Sequence, residues 1–231
     1  MQFTIDGQTI EAQSGETILA ACRRTGYYIP HLCFHGDLPA QGNCRLCLVE
    51  SKGRLVPACL TRVTDGMEVA SETERLNHLR LRLTQMLFVE GNHICPSCEA
   101  SGNCMLQAMG YRLGLLDNHY PQFFPRRPLD ASHPQMTLDF NRCIQCQLCV
   151  RASDQLDHKH ALAVAGRGGG AHIIASSPRG LLGDTPFDAT DHAANICPVG
   201  VFLTKGVGYV TPIGERRYDR ADIAQAGDRN A

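Results

Sequence analysis

Twelve cysteines in 231 residues constrain this chain more than any other feature. They stand at positions 22, 33, 44, 47, 59, 95, 98, 104, 143, 146, 149 and 197, in clumps and not as an even scatter. The opening segment, MQFTIDGQTIEAQSGE, lacks the basic-then-apolar layout of a secretory signal. The sequence therefore points to the cytoplasm, where thiols stay reduced and cysteines at this density serve as metal ligands in preference to disulfides. The clumps divide as Cys33, Cys44, Cys47 and Cys59; then Cys95, Cys98 and Cys104; then Cys143, Cys146, Cys149 and a distant Cys197, with Cys22 left over. No run of about 18 apolar residues occurs, so no membrane span is expected. The 22 basic residues balance 23 acidic ones, which argues against a nucleic-acid partner.

Around the cysteines the chain reads as several small units. Phe3 and Ile5 alternate with polar residues, Asp6-Gly7 supplies a tight turn, and Thr9 to Ala12 return as a second strand. Residues 16–25 predict a helix with Ser14 near its start and Gly26 at its C-cap. Its apolar face carries Ile18, Leu19 and Cys22, so Cys22 is expected to pack as a small hydrophobe and not to ligate. Strands are expected at 46–50, 54–58 and 67–69, which completes a β-grasp order. Ser71 and Glu74 form a capping-box signature for a helix to about Val89. Leu76, Leu79, Leu83, Met86 and Leu87 form its expected core face. A second helix is expected over 104–116.

HYPQFFPRRPLDASHP, with four prolines, reads as an extended connection. Beyond it a strand from Gln135, a cysteine-bearing turn, a helix near 148–157 and a strand at 172–176 are expected. The glycine-rich stretch 166–170 is a loop, and residues 211–231 are expected to be a surface tail. The chain thus divides into units at 1–76, 77–118 and 135–210, with a linker at 119–134 and the tail at 211–231.

Soft thiolates suit iron–sulfur clusters and zinc alike, so spacing arbitrates. In LPAQGNCRLCLVE, Gly42 stands beside Cys44 and Cys47, where it lets backbone N–H groups approach cluster sulfur. Cys33 precedes this loop and Cys59 ends the next strand. The middle clump, GNHICPSCEASGNCMLQ, has three thiols, and His93 is the nearest candidate for a fourth ligand. NRCIQCQLCVR carries C-x2-C-x2-C, and NICPVG supplies Cys-Pro. Bacterial two-cluster ferredoxins use C-x2-C-x2-C-x3-C-P twice. Here the first run meets Ser153 at its fourth position, and the second would need thiols where Phe187, Thr190 and Ala193 stand. One cluster of the ancestral pair has therefore lost its ligands while the other keeps Cys143, Cys146, Cys149 and Cys197. Triplets of this spacing suit zinc poorly, since zinc takes pairs of pairs.

These motifs resemble, in the same order, the N-terminal part of the complex I large iron–sulfur subunit, and the first two also resemble iron-only hydrogenases. The His-x-Cys spacing, the chain length and the ending KGVGYVTPIGERRYD are similar to the diaphorase small subunits of soluble NAD-reducing nickel–iron hydrogenases. That resemblance implies an α+β chain. Its parts would be an N-terminal β-grasp 2Fe-2S ferredoxin domain, a helical 4Fe-4S segment with one His and three Cys ligands, and a degenerate bacterial-ferredoxin-like 4Fe-4S domain.

It further implies an electron-relay subunit of an oxidoreductase, without a substrate-binding catalytic site of its own. The partners would be a diaphorase large subunit carrying FMN and NAD, and hydrogenase small and large subunits carrying the nickel–iron centre. The net reaction would be H2 plus NAD+ to NADH plus a proton. An iron–sulfur subunit of an NAD-dependent formate dehydrogenase, or of a complex I-like assembly, remains open at this point. So do a free ferredoxin and, from another class, a zinc-binding scaffold.

Overall fold

Asp6 and Gly7 both adopt positive φ, 46° and 80°, which is the backbone that a two-residue hairpin turn demands. They join β1 (Gln2–Ile5) to β2 (Gln8–Glu11), antiparallel with Phe3 opposite Ile10. The structure, a computed structural model, describes residues 1–228. Helix α1 (Ile18–Arg24) buries Ile18, Leu19, Ala21 and Cys22. Its cap is Thr17 and not Ser14: the Thr17 hydroxyl accepts from the Ala20 N–H at 3.3 Å, while Gly15, at φ 82°, still belongs to the preceding turn. β3 (Leu48–Ser51) and β4 (Arg54–Pro57) form a hairpin of their own around Lys52-Gly53. β5 (Met67–Val69) lies parallel to β1 on the edge opposite β2. Strand, strand, helix, hairpin and parallel return strand give the expected β-grasp arrangement.

Cys22 is fully buried in this first core, and burial raises its thiol pKa to about 12. It is an apolar filler. Cys22→Ala is expected to leave bound iron unchanged and to cost about 1 kcal/mol in denaturant unfolding. Loss of a cluster in that variant would reassign the first site.

Helix α2 (Glu74–Glu90) departs from its expected cap and face. Thr73 caps it, accepting from the Leu76 N–H at 3.2 Å. Ser71 is buried instead, its carbonyl and hydroxyl both accepting from Arg80 at 2.8 and 3.0 Å. The buried positions are Leu76, Arg80, Thr84, Gln85 and Val89, whereas Leu79, Leu83 and Leu87 are half-buried and Met86 is exposed. Two of its buried polar side chains, Arg80 and Gln85, bond the main chain of neighbouring segments. Arg80, 1% exposed, donates to the carbonyls of Leu46 (3.1 Å) and Leu48 (2.9 Å) on either side of Cys47. Gln85 reaches Asp117. Arg80→Met would strand these buried carbonyls and is expected to cost about 3 kcal/mol, read by thermal unfolding.

Helix α3 (Met105–Arg112) buries Met105 through Gly110 and ends four residues before the expected limit, with Leu113 as its C-cap. The proline-rich connection is extended but contributes a short strand, β6 (Leu129–Asp130), to the next sheet. β7 (Met136–Asp139) is the centre of that sheet. Helix α4 (Leu148–Gln155) follows the cysteine turn, then the hairpin of β8 (Leu162–Ala165) and β9 (His172–Ala175), which the glycine-rich loop connects. The short helix α5 (His192–Asn195) leads into Cys197, and β10 (Phe202–Thr204) pairs with β7.

The tail differs from the expectation of a surface segment. Tyr218 and Ile223 are buried, the latter opening α6 (Ile223–Ala226). Asp228 reaches the first unit, where its carboxylate pairs with Arg23 Nε at 3.2 Å and His31 Nε2 at 3.0 Å. Apolar residues placed near the chain end are what allow the return. Residues 229–231 of the expected tail lie outside the described residues. No helix among the described residues is long and apolar enough to cross a membrane. The second core runs from Leu32, Leu38 and Leu46 of the first unit through α3, β7 and α4 to Ile223, so one apolar body reaches Cys33 and Cys44 of the first clump, Cys104 of the second and all four cysteines of the third set.

Candidate metal centres

In the first set the cysteines stand as two pairs. Cys33 and Cys44 share a thiol hydrogen bond, as do Cys47 and Cys59. Within the first pair, the Cys44 thiol draws Cys33 down to about 6 against the opposing effect of burial, and Cys44 rises well above its ordinary value. Cys47 is raised and Cys59 lowered in the same way. Arg45, at φ 58°, turns the C-x2-C loop, and the Cys44 N–H lies 3.4 Å from Cys33 Sγ. Gly42, at φ 69°, passes under Leu60, where a Cβ would stand 2.7 Å from Leu60 Cδ1. Two thiol pairs are the donor set that a two-iron cluster requires.

The second set lines a hollow of about 120 Å³ that contains His93, Cys95, Cys98 and Cys104 together, with Phe88, Leu106 and Arg142 in its walls. The His93 ring bonds the Leu87 backbone, and its Nε2 is buried with no hydrogen-bond partner. Burial lowers the imidazole pKa to about 4, so the ring is neutral, the form that ligates metal. Gly91 is needed for space and not for φ, which is an extended −115°. A Cβ there would meet His93 Nε2 at 2.4 Å. Burial raises the Cys104 thiol to about 12.

The third set closes around an apolar hollow of Phe140, Ile144, Ile173, Val199 and Val201, into which Cys143, Cys146, Cys149 and Cys197 all face. Gln145 and Gln147 take positive φ of 55° and 61°, unfavourable for non-glycine residues. The Gln145 N–H thereby comes within 3.3 Å of Cys143 Sγ. Burial raises all three motif thiols, Cys143 to about 11. Metal ligation requires those protons to leave. Among the described residues no three His, Cys, Asp or Glu donors gather tightly enough for one ion. In the second and third sets the donors of each set line one shared hollow.

The arginines of the site were not singled out from the sequence. Arg142 donates to Cys98 Sγ at 3.3 Å while pairing with Asp139 and Glu99, at 2.8 and 2.6 Å. Arg127 bridges the carbonyls of Cys143 and Glu90. Arg151 on α4 donates to the Cys33 carbonyl at 3.1 Å. Their only sequence signal is position, since Arg142 and Arg151 flank the cysteine triplet in NRCIQCQLCVR.

These three thiol sets coincide with known families. Residues 1–74 match the 2Fe-2S iron-sulfur cluster binding domain, residues 80–119 the NADH-ubiquinone oxidoreductase-G iron-sulfur binding region, and residues 133–203 the ferredoxin-like domain of NADH-quinone oxidoreductase subunit 3. Fold and donors together define an iron–sulfur protein of the NADH-oxidoreductase class. The chain is 39% identical over 220 residues to the gamma subunit of the NAD-reducing hydrogenase HoxS of Cupriavidus necator, covering 95% of this chain and 93% of that one. It belongs to the family of that hydrogenase chain. A chain in the crystal structure of an H2-reduced, NAD+-reducing nickel–iron hydrogenase superposes with a TM-score of 0.95 at 47% identity, over 99% of this chain and 97% of that one. The mitochondrial NADH-ubiquinone oxidoreductase 78 kDa subunit of Candida albicans is 29% identical over 100% of this chain, which spans 32% of that longer protein.

Proposed function

We propose that this chain is the electron-relay subunit of a cytoplasmic NAD-reducing hydrogenase. It would dock between hydrogenase small and large subunits, which hold the nickel–iron centre, and a diaphorase large subunit, which holds FMN and NAD. The ligand sets are Cys33, Cys44, Cys47 and Cys59 for a 2Fe-2S cluster; His93, Cys95, Cys98 and Cys104 for a 4Fe-4S cluster; and Cys143, Cys146, Cys149 and Cys197 for a second 4Fe-4S cluster. Bound there, the clusters supply one-electron carriers. The chain keeps its work in three units, 1–76, 77–118 and 135–210, with a linker at 119–134 and a tail at 211–231.

The observation that carries this reading is that the three donor sets stand in succession within one body. Arg151 joins the third set to the Cys33 loop. Arg142, next to Cys143, reaches Cys98 of the second, and the Asn92 N–H donates to the Asn141 carbonyl at 2.8 Å. Spatial order is therefore first, third, second, so the third set is the middle of the path. The protein's part is to fix the ligands, exclude water with the apolar walls of the third hollow, and set the charge around each donor.

Purification of the native assembly tests the reading. Hydrogen-dependent NAD+ reduction with stoichiometric iron and acid-labile sulfide on this chain is the expected result. A colourless zinc protein, or a formate-dehydrogenase chain in the complex, would overturn it.

A further inference from the structure

We propose that Arg151 is the counter-charge shared by the first and third clusters and holds the potentials of both upward, an inference that rests on the cluster assignments above. Arg151 is 5% exposed. Its Nη1 and Nη2 donate to the carbonyls of Pro39 and Cys33 in the first-site loop. Its Nε is buried without a partner. The side chains that act on its charge are those of Cys146, Cys33 and Cys149, which belong to two different sets.

A buried cation is costly unless an anion compensates it. Arg142 shows the ordinary solution, with carboxylates of Asp139 and Glu99 against its guanidinium. Arg151 instead satisfies two neutral carbonyls, reaching from α4, which carries Cys149, to the loop of the first set. Four thiolates leave each assembled cluster net negative, so the two clusters together are the anion that this site lacks. Reduction places one more electron on a cluster, and a fixed cation stabilises the reduced form across a poorly polarisable interior. Both potentials therefore rise relative to a neutral side chain at 151. The second cluster, served by Arg142, is outside this influence and acts as an internal reference.

The test is a redox titration of the assembled complex followed by electron paramagnetic resonance, comparing wild type with Arg151→Gln and Arg151→Lys. Glutamine can still donate to the carbonyls but carries no charge; lysine keeps the charge and loses the fork. In Arg151→Gln, the ratio of reduced to oxidised cluster at a fixed ambient potential should fall about tenfold for the first and third clusters alike, a downward shift of about 59 mV for a one-electron couple. Arg151→Lys should restore most of it, and the second cluster should not move. A shift confined to one cluster, no shift, or an equal shift in Arg151→Lys would overturn the proposal. If Arg151→Gln fails to accumulate, Arg151→Met carries the same expectation, and failure of all three variants would assign Arg151 to folding alone. Wild type without the cluster signals would instead refute the cluster assignments.

Discussion

His93→Ala is expected to strip the second centre of its fourth ligand, leaving a three-iron form or no cluster, whereas His93→Cys retains four irons. Cys95, Cys98 and Cys104 face the same hollow as the ring, and His93 Nε2 is the buried polar atom there that has no protein partner. An orphaned buried acceptor costs about 1–3 kcal/mol, which ligation removes. The bond to the Leu87 backbone orients the ring from behind, as supporting hydrogen bonds do for metal-bound histidines. A neutral ligand in place of a thiolate leaves one negative charge fewer, so His93→Cys should also lower the potential of this centre, the reverse of the effect of histidine in Rieske clusters. Iron counts and paramagnetic spectra read both outcomes. An intact cluster of unchanged spectrum and potential in His93→Ala would remove His93 from the ligand set.

Cys197→Ser should be still more damaging to the relay, because it strikes the middle of the path. Cys197 lies in the wall of the third hollow opposite the Cys143–Cys149 turn. The adjacent Pro198 carbonyl accepts from the Met105 N–H at 2.9 Å, directly after Cys104 of the second set. Loss of the third cluster would leave three raised, buried thiols around an empty apolar hollow, and cluster binding free energy is also folding free energy. We expect four irons fewer per chain, faster amide exchange across β7 to β10, and loss of hydrogen-dependent NAD+ reduction in the assembled complex. NADH oxidation by an artificial acceptor at the flavin-bearing partner should persist. Unchanged hydrogen-dependent turnover would mean that the path bypasses this set.

The cysteine clumps and the β-grasp order were legible because each rests on local chemistry: C-x2-C spacing for the former, the Asp6-Gly7 and Lys52-Gly53 turns for the latter. Helix caps were missed by a few residues because Thr17 and Thr73 offer the same hydroxyl as Ser14 and Ser71, and only tertiary demand separates them. Ser71 is taken by Arg80. The face of α2 was misread for the same reason. A leucine-rich helix predicts an apolar stripe, but this one buries Arg80 and Gln85 against carbonyls of neighbouring segments and closes the Thr84 hydroxyl onto its own Arg80 carbonyl. The arginines that touch the donor sets left no periodic or spacing signal. Neither did the return of Asp228 to His31, which spans nearly the whole sequence.

Leu32, Leu38 and Leu46, which flank the first cysteine loop, belong to the core built by the later units and not to the β-grasp core. This imposes an order on biogenesis. Emerging from the ribosome before the units that follow it, the β-grasp unit presents its cysteine loop with those leucines uncovered until α3 and α4 have been made. Iron and sulfide therefore have their widest access to Cys33 and Cys44 during synthesis, and that window narrows once Arg151 and the second core close over the loop. A chain that folds before it is supplied would have to reopen its largest apolar body to be filled.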